Sequence, residues 1–221
     1  MMMTDADIKA AIQSGDLVIE NFSEASLQPS SYDARVGNRA LVGGTDTEID
    51  IAQKGSVTIR PGEFVLIVTR EKFKLKPIIA GHLGIRSYYS RKGLVLLAGL
   101  QIDPGFDGHL VIGGFNAAPR RLTLDYESPF VTVEFHKLAG RAVEQPFVPS
   151  GDEQKAGHIP RMDKDYLRTL ETQSLSSVAE ELRTLTENVG AMQTQLKYFY
   201  TPLLAGTFLA VIGFGLASLL K

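Results

Sequence analysis

The run IDPGFDGHLVIGGFN, residues 102–116, carries the reading of the whole chain. A Pro-Gly pair follows Asp103, and such a pair marks a tight turn. The apolar stretch HLVIGGF beyond it is short and bounded by turn residues, which reads as a strand. The segment is therefore a strand end, a turn and a second strand. Asp103 stands at the strand end, where a carboxylate either stabilises the turn or faces a pocket. The second strand, LVIGGFN, contains no acid.

Working outward, FVLIVT, GLVLLAGL and FVTVEF are further short β-rich runs, separated by PG, DPG and AAP turns. Regular short strands without long helices between them predict a mainly β sandwich or barrel. A helix is predicted near the start, from about residue 5 to residue 14. Thr4 or Asp5 caps it, Ile8, Ala11 and Ile12 form its apolar face, and Gly15 stops it. One domain over residues 1–161 is long enough to bury its own core. Within it, RSYYSRKGL at 86–94 places Arg86, Ser87 and Arg91 in a turn-rich stretch. Two guanidiniums and a hydroxyl are donors suited to a polyphosphate, and also suited to a plain polar surface.

Composition removes several function classes. A net charge of −2, with the two signs interspersed, gives no general attraction to nucleic acid, so no nucleic-acid partner is expected. The absence of cysteine removes a disulfide framework and a thiolate site. His82, His109, His136 and His158 are scattered without paired ligand spacing, so no metal ligand set is expected among them.

The period changes after residue 161. Leu175, Val178, Leu182, Leu185, Val189, Met192, Leu196 and Phe199 recur in steps of three and four, the seam of a heptad. Residues 162–199 are therefore predicted as a helical coiled-coil stalk, with one amphipathic helix lying on the head as the alternative. Leucine at most a positions leaves a trimer open. If extended, residues 163–199 would reach roughly 55 Å at about 1.5 Å per residue. From Thr201 to Leu220 the chain carries no charge, which matches the roughly 20 apolar residues that span about 30 Å of hydrocarbon. Lys197, Tyr198, Phe199 and Tyr200 lie where an interfacial belt would sit. Residues 200–221 are thus predicted as a single C-terminal membrane anchor. The N-terminal MMMTDADIKAAIQ is polar and does not read as a secretory signal.

Three segments in order, LQPSSYDARVG at 27–37, RSYYSRKGL at 86–94 and IDPGFDGHLVIGGFN at 102–116, resemble successive motifs of the dCTP deaminase and trimeric dUTPase family. PGEFVLIVTREKFKL at 61–75 resembles the strand and hairpin before the second motif. The resemblance covers about residues 15–161. It implies a distorted β-roll, or jelly-roll-like barrel, assembled as a homotrimer with sites between subunits. It further implies that Arg86, Ser87 and Arg91 hold the triphosphate of dCTP or dUTP, with Mg²⁺ accompanying it. Asp103 would contact the deoxyribose, or position the attacking water in diphosphatase members. Val111 and Ile112 would frame the base.

The chain departs from the family pattern at one decisive place. Deaminases of this family carry a general acid-base glutamate where this chain has Gly113, followed by Gly114. Loss of such a group typically costs about 10² to 10⁴ in rate. Asp107, Asp125 and Glu134 are nearby acids that could substitute. The closing segment is also altered: SGDEQKAGHIPR at 150–161 offers Gln154 for a phosphate, Phe147 stands where a tyrosine is usual, and neither the lid lysine nor a glycine-rich terminal motif is present.

Four readings follow. The chain is a membrane-anchored nucleotide sensor or regulator without deaminase activity, a dUTP or dCTP diphosphatase using Asp103 and Mg²⁺, a dCTP deaminase with a substitute acid, or a structural trimeric head. The expected site of the head is the cytoplasmic face of a membrane, where deoxynucleotides are found.

Overall fold

The computed structural model describes residues 1–43, 45, 47–97, 99–147, 156–161, 163–165, 175–195, 197–198 and 212, with helix side chains from 181 onward. Two compact units are present, Met1–Ser174 and Leu175–Lys221.

The first unit begins with α1 (Asp5–Ser14), where the sequence placed it. Its N-terminus closes with a capping box: the Thr4 hydroxyl accepts from Asp7 N, and the Asp7 carboxylate accepts from Thr4 N at 2.9 Å. Gly15 ends it in the left-handed region. The strands follow as β1 (Leu17–Glu20), β2 (Leu27–Gln28), β3 (Ser31–Val42) and β4 (Ile49–Asp50). After the single turn α2 (Ile51–Lys54) come β5 (Ser56–Ile59), β6 (Phe64–Leu75) and β7 (Ile79–Ile85). A second single turn, α3 (Ser87–Ser90), precedes β8 (Leu94–Leu96), β9 (Gln101–Ile102), β10 (Asp107–Asn116), β11 (Leu122–Asp125) and β12 (Pro129–Lys137).

Seven strands form one antiparallel path, β8-β10-β6-β3-β12-β7-β9, with β1 on β6 and with β2 and β4 on β3; β11 and β5 pair separately. The long strands β3 and β6 are each shared between neighbours. β3 pairs with β12 through Tyr32–Arg35 and with β6 through Val36–Val42. That change of partner curls the sheet into a half-barrel. At the change the register slips between Val36 and Ala40, and the two backbones approach closely. A Cβ at Gly37 would lie 2.5 Å from the Val68 carbonyl oxygen, so the crossing requires glycine.

Strand alternation fills the hollow of the curl. Tyr32, Phe73, Phe130 and Phe135 are fully buried, each worth roughly 1.5–3 kcal/mol of transfer free energy. Phe22, Tyr32, Phe73 and Phe135 run as a chain of ring contacts with centroids 5.4–6.3 Å apart. A second cluster on the opposite face comprises Leu41, Leu66, Val68 and Ile159, flanked by Phe64 and Val111. Ile159 therefore docks the segment after the last strand onto the sheet, and Lys164 Nζ adds an ion pair to Glu48 Oε1 at 2.6 Å.

One local reading is sharpened and another revised. RSYYSRKGL contains a helical turn, because the Ser90 and Arg91 amides bond back to Arg86 and Ser87. GLVLLAGL is strand only over Leu94–Leu96, since β8 lies at the sheet edge and reaches only the last residues of β10.

In the second unit α4 (Leu175–Gln195) is a helix over the predicted stalk. Its seam residues Leu182, Leu185, Val189 and Met192 are exposed in the single chain. Leu196, Phe199 and all of the predicted anchor except Ile212 fall outside the described residues. Among the described residues no helix is long and apolar enough to cross a membrane.

Candidate nucleotide site

The turn that opened the sequence reading is built as expected. Phe106 N donates to Asp103 O at 3.1 Å, and Gly105 sits at φ +93° between them. β9 and β10 thus leave Asp103 at the mouth of a cavity of about 200 Å³, lined also by Leu83, Gln101, Phe106, Val111 and Ile112. Phe147 covers one side: its ring stacks on Phe106 with centroids 6.0 Å apart, and its amide donates to Pro104 O at 2.8 Å. Asp103 is exposed, and its Oδ1 accepts from Gln101 Nε2 at 2.8 Å. The volume lies below the ~300–1,000 Å³ of ordinary ligand pockets.

Gly113 lies on β10 opposite Leu66 of β6. Its carbonyl accepts from Leu97 N at 2.9 Å. A Cβ built there would stand 3.1 Å from the Leu97 carbonyl oxygen and 3.4 Å from the Phe64 ring. A side chain there would be tight against the Leu97 backbone, which would have to give by a few tenths of an ångström, and in contact with the Phe64 ring. None of the three nearby acids lines the Asp103 cavity. Asp107 faces Lys74 at 3.3 Å and Lys72 at 3.5 Å; burial opposes its charge, but these lysines outweigh that and hold its carboxyl below the usual range. Asp125 borders a different cleft, and Glu134 lies 3.8 Å from His136.

The expected phosphate residues sit elsewhere. Arg86 caps α3; its Nε pairs with Asp33 Oδ2 at 2.9 Å, and Nη1 donates to Pro129 O at 3.3 Å. Ser87 is exposed on the first turn, and its carbonyl accepts from Arg91 N at 3.0 Å. Arg91 is exposed and borders the cleft that also contains Asp125. Within one chain, then, Asp103, Val111 and Ile112 share a cavity that Arg86, Ser87 and Arg91 do not enter. Gln154 lies outside the described residues.

A sequence model described as dCTP deaminase-like matches residues 2–138, well over half of the chain. The chain belongs to the dCTP deaminase-like family. The dCTP deaminase of Thermococcus kodakarensis is 37% identical over 159 residues, covering 72% of this chain and 96% of that protein. The dCTP deaminase of Pyrococcus furiosus is 42% identical over 127 residues, covering 58% and 80%. A dUMP-forming dCTP deaminase of Corynebacterium efficiens is 38% identical over 141 residues, covering 56% and 72%. The crystal structure of the 2'-deoxycytidine 5'-triphosphate deaminase of Agrobacterium tumefaciens shares the fold, with a TM-score of 0.51 at 18% identity over 60% of this chain and 47% of that one.

In this dCTP deaminase-like head, sequence reasoning missed Gln101 beside Asp103 and Asp33 behind Arg86. The first was readable, since residues two apart in a strand share a face. The second was not, because 53 positions separate the partners and only the β3–β12–β7 pairing unites them.

Proposed function

We propose that this dCTP deaminase-like protein binds a deoxynucleoside triphosphate, dCTP or dUTP, without deaminating it, and serves as a nucleotide sensor or regulator. The observation that carries the reading is that position 113 is a glycine tightly flanked by Leu97 and Phe64, while Asp103 is the carboxylate that lines the neighbouring cavity with Val111 and Ile112. Deamination needs a group that moves protons at the base, and glycine has none.

The complete site belongs to a homotrimer in this reading. Its support is the separation of Asp103, Val111 and Ile112 from Arg86, Ser87 and Arg91 in one chain, so that a neighbouring copy supplies the missing half. Val95 on β8, and Leu97 and Leu100 in the segment between β8 and β9, are 43%, 52% and 58% exposed and offer apolar surface for such a copy to cover. The exposed seam of α4 would pair in the same assembly. Residues 201–220 serve as the anchor on the strength of their length and lack of charge, with the head in the cytoplasm.

A second reading is favoured by the Gln101–Asp103 hydrogen bond: an oriented, exposed carboxylate able to position water for diphosphate release. Mg²⁺ would arrive on the triphosphate and neutralise its charge. Among the described residues no group of three His, Asp or Glu side chains is arranged to hold a metal, so the triphosphate oxygens would be its principal ligands.

The full chain in detergent, incubated with dCTP or dUTP and Mg²⁺, separates these readings. Bound nucleotide without product supports the sensor. Pyrophosphate release abolished by Asp103→Asn establishes the diphosphatase, and ammonia release refutes the loss of deamination.

A further inference from the structure

A second cleft, of about 740 Å³, opens between the turn after α3 and the β10–β11 loop. Four cations border it, Arg91, Lys92, Arg120 and Arg121, against one carboxylate, Asp125. All four are exposed, and among the described residues none forms an ion pair. The chain as a whole is slightly acidic, so this is a local concentration of positive charge. A concave surface with four cations against one carboxylate carries a net positive field that favours an entering anion.

The cleft is held by buried structure. Asn116 is fully buried; its Nδ2 donates to Arg120 O at 2.8 Å and to Ile59 O at 3.0 Å, while its Oδ1 accepts from Ala118 N at 3.0 Å. The loop carrying Arg120 and Arg121 is thus tied at its main chain. It is joined to the other wall at Gly93, whose carbonyl accepts from Ala117 N at 2.9 Å. Gly93 has φ +94°, and a Cβ there would lie 2.7 Å from the Ala118 Cβ, so only glycine lets the two walls meet. Lys92 stands 3.9 Å from the Tyr88 ring centroid, which fixes its ammonium at the rim.

We propose that Arg91, Lys92, Arg120 and Arg121 bind a condensed phosphate chain, free or carried on a nucleotide. Guanidiniums match phosphate oxygens with paired donors, and a chain of several phosphates supplies the charge that four cations can neutralise. The assignment deepens the nucleotide reading and rests on it only for Arg91; Lys92, Arg120 and Arg121 enter from the geometry.

The test is titration of the full chain with inorganic tripolyphosphate, which carries no base or sugar. Wild type binds it, more weakly as salt rises. The Arg120→Gln/Arg121→Gln double variant, at unchanged melting temperature, binds at least tenfold more weakly, and Arg120→Lys/Arg121→Lys recovers part of the loss. Asp103→Asn leaves tripolyphosphate binding intact. Equal affinity in wild type and the Gln double variant overturns the inference, even if dCTP still binds. Tripolyphosphate binding with no response to dCTP or dUTP supports the cleft while the nucleoside reading fails. Absence of tripolyphosphate binding by wild type overturns the inference outright.

Discussion

Asp33 Oδ2 accepts from Arg86 Nε at 2.9 Å, and Asp33 Oδ1 accepts from the Thr132 hydroxyl at 2.8 Å. The carboxylate is nearly buried, so a residue of the 27–37 segment orients the arginine that opens the 86–94 segment. Asp33→Ala leaves two donors without partners and is expected to cost about 1–3 kcal/mol. Urea unfolding measures the loss, and Asp33→Asn, which retains an acceptor, is expected to lose less.

Glu71 is fully buried and accepts from Arg35 Nε at 2.7 Å, Arg35 N at 2.8 Å and the Tyr32 hydroxyl at 3.2 Å. Burial, with the Glu71 charge added, pushes the Tyr32 hydroxyl from its ordinary 10.0 up to about 12. The folded state therefore keeps a proton that the unfolded state releases, and stability falls as pH rises from 10.0 through about 12. Guanidinium midpoints across that range are expected to decline in wild type and to flatten in Tyr32→Phe. An equal decline in both would remove Tyr32 as the source.

Ile159 and Lys164 hold the chain after β12 to the sheet. Burial opposes the charge of Glu48, yet Lys164 and Arg39 outweigh it and hold the carboxyl below the usual range. A depressed folded value means that the latch contributes above the unfolded pKa and is lost as pH falls through the folded one. Ile159→Ala is expected to cost about 2–5 kcal/mol of local stability. Amide exchange at 157–159 and 161 should accelerate in the variant, and at low pH in wild type, while β6 stays protected.

Gly113→Glu introduces the side chain that the proposed reading takes to be missing, at a position tightly flanked by Leu97 and Phe64. The expected result is destabilisation of about 1–3 kcal/mol without deamination. Ammonia release from dCTP at an unchanged melting temperature would show that the strand accommodates the acid and that the tight flanking is not a barrier.

Much of the fold was legible locally. The Thr4 cap, the Gly15 stop and the Pro-Gly turn after Asp103 act over a few residues, and each stands where sequence rules put it. The strand runs at 64–69, 109–115 and 130–135 fall inside β6, β10 and β12. Less was legible at the site. Arg91 was read as one of a phosphate trio with Arg86 and Ser87, yet its neighbours across the cleft are Arg120 and Arg121.

What the sequence determined by itself is therefore the alternation of strand and turn, the family, and a glycine at position 113. What only the tertiary structure decided is which of these residues meet. Asp33 finds Arg86, Leu97 and Phe64 flank Gly113, and Arg91 parts from Asp103. Those encounters follow from the curl where β3 changes partner at Gly37, and periodicity along a chain carries no information about which distant strands the curl brings together.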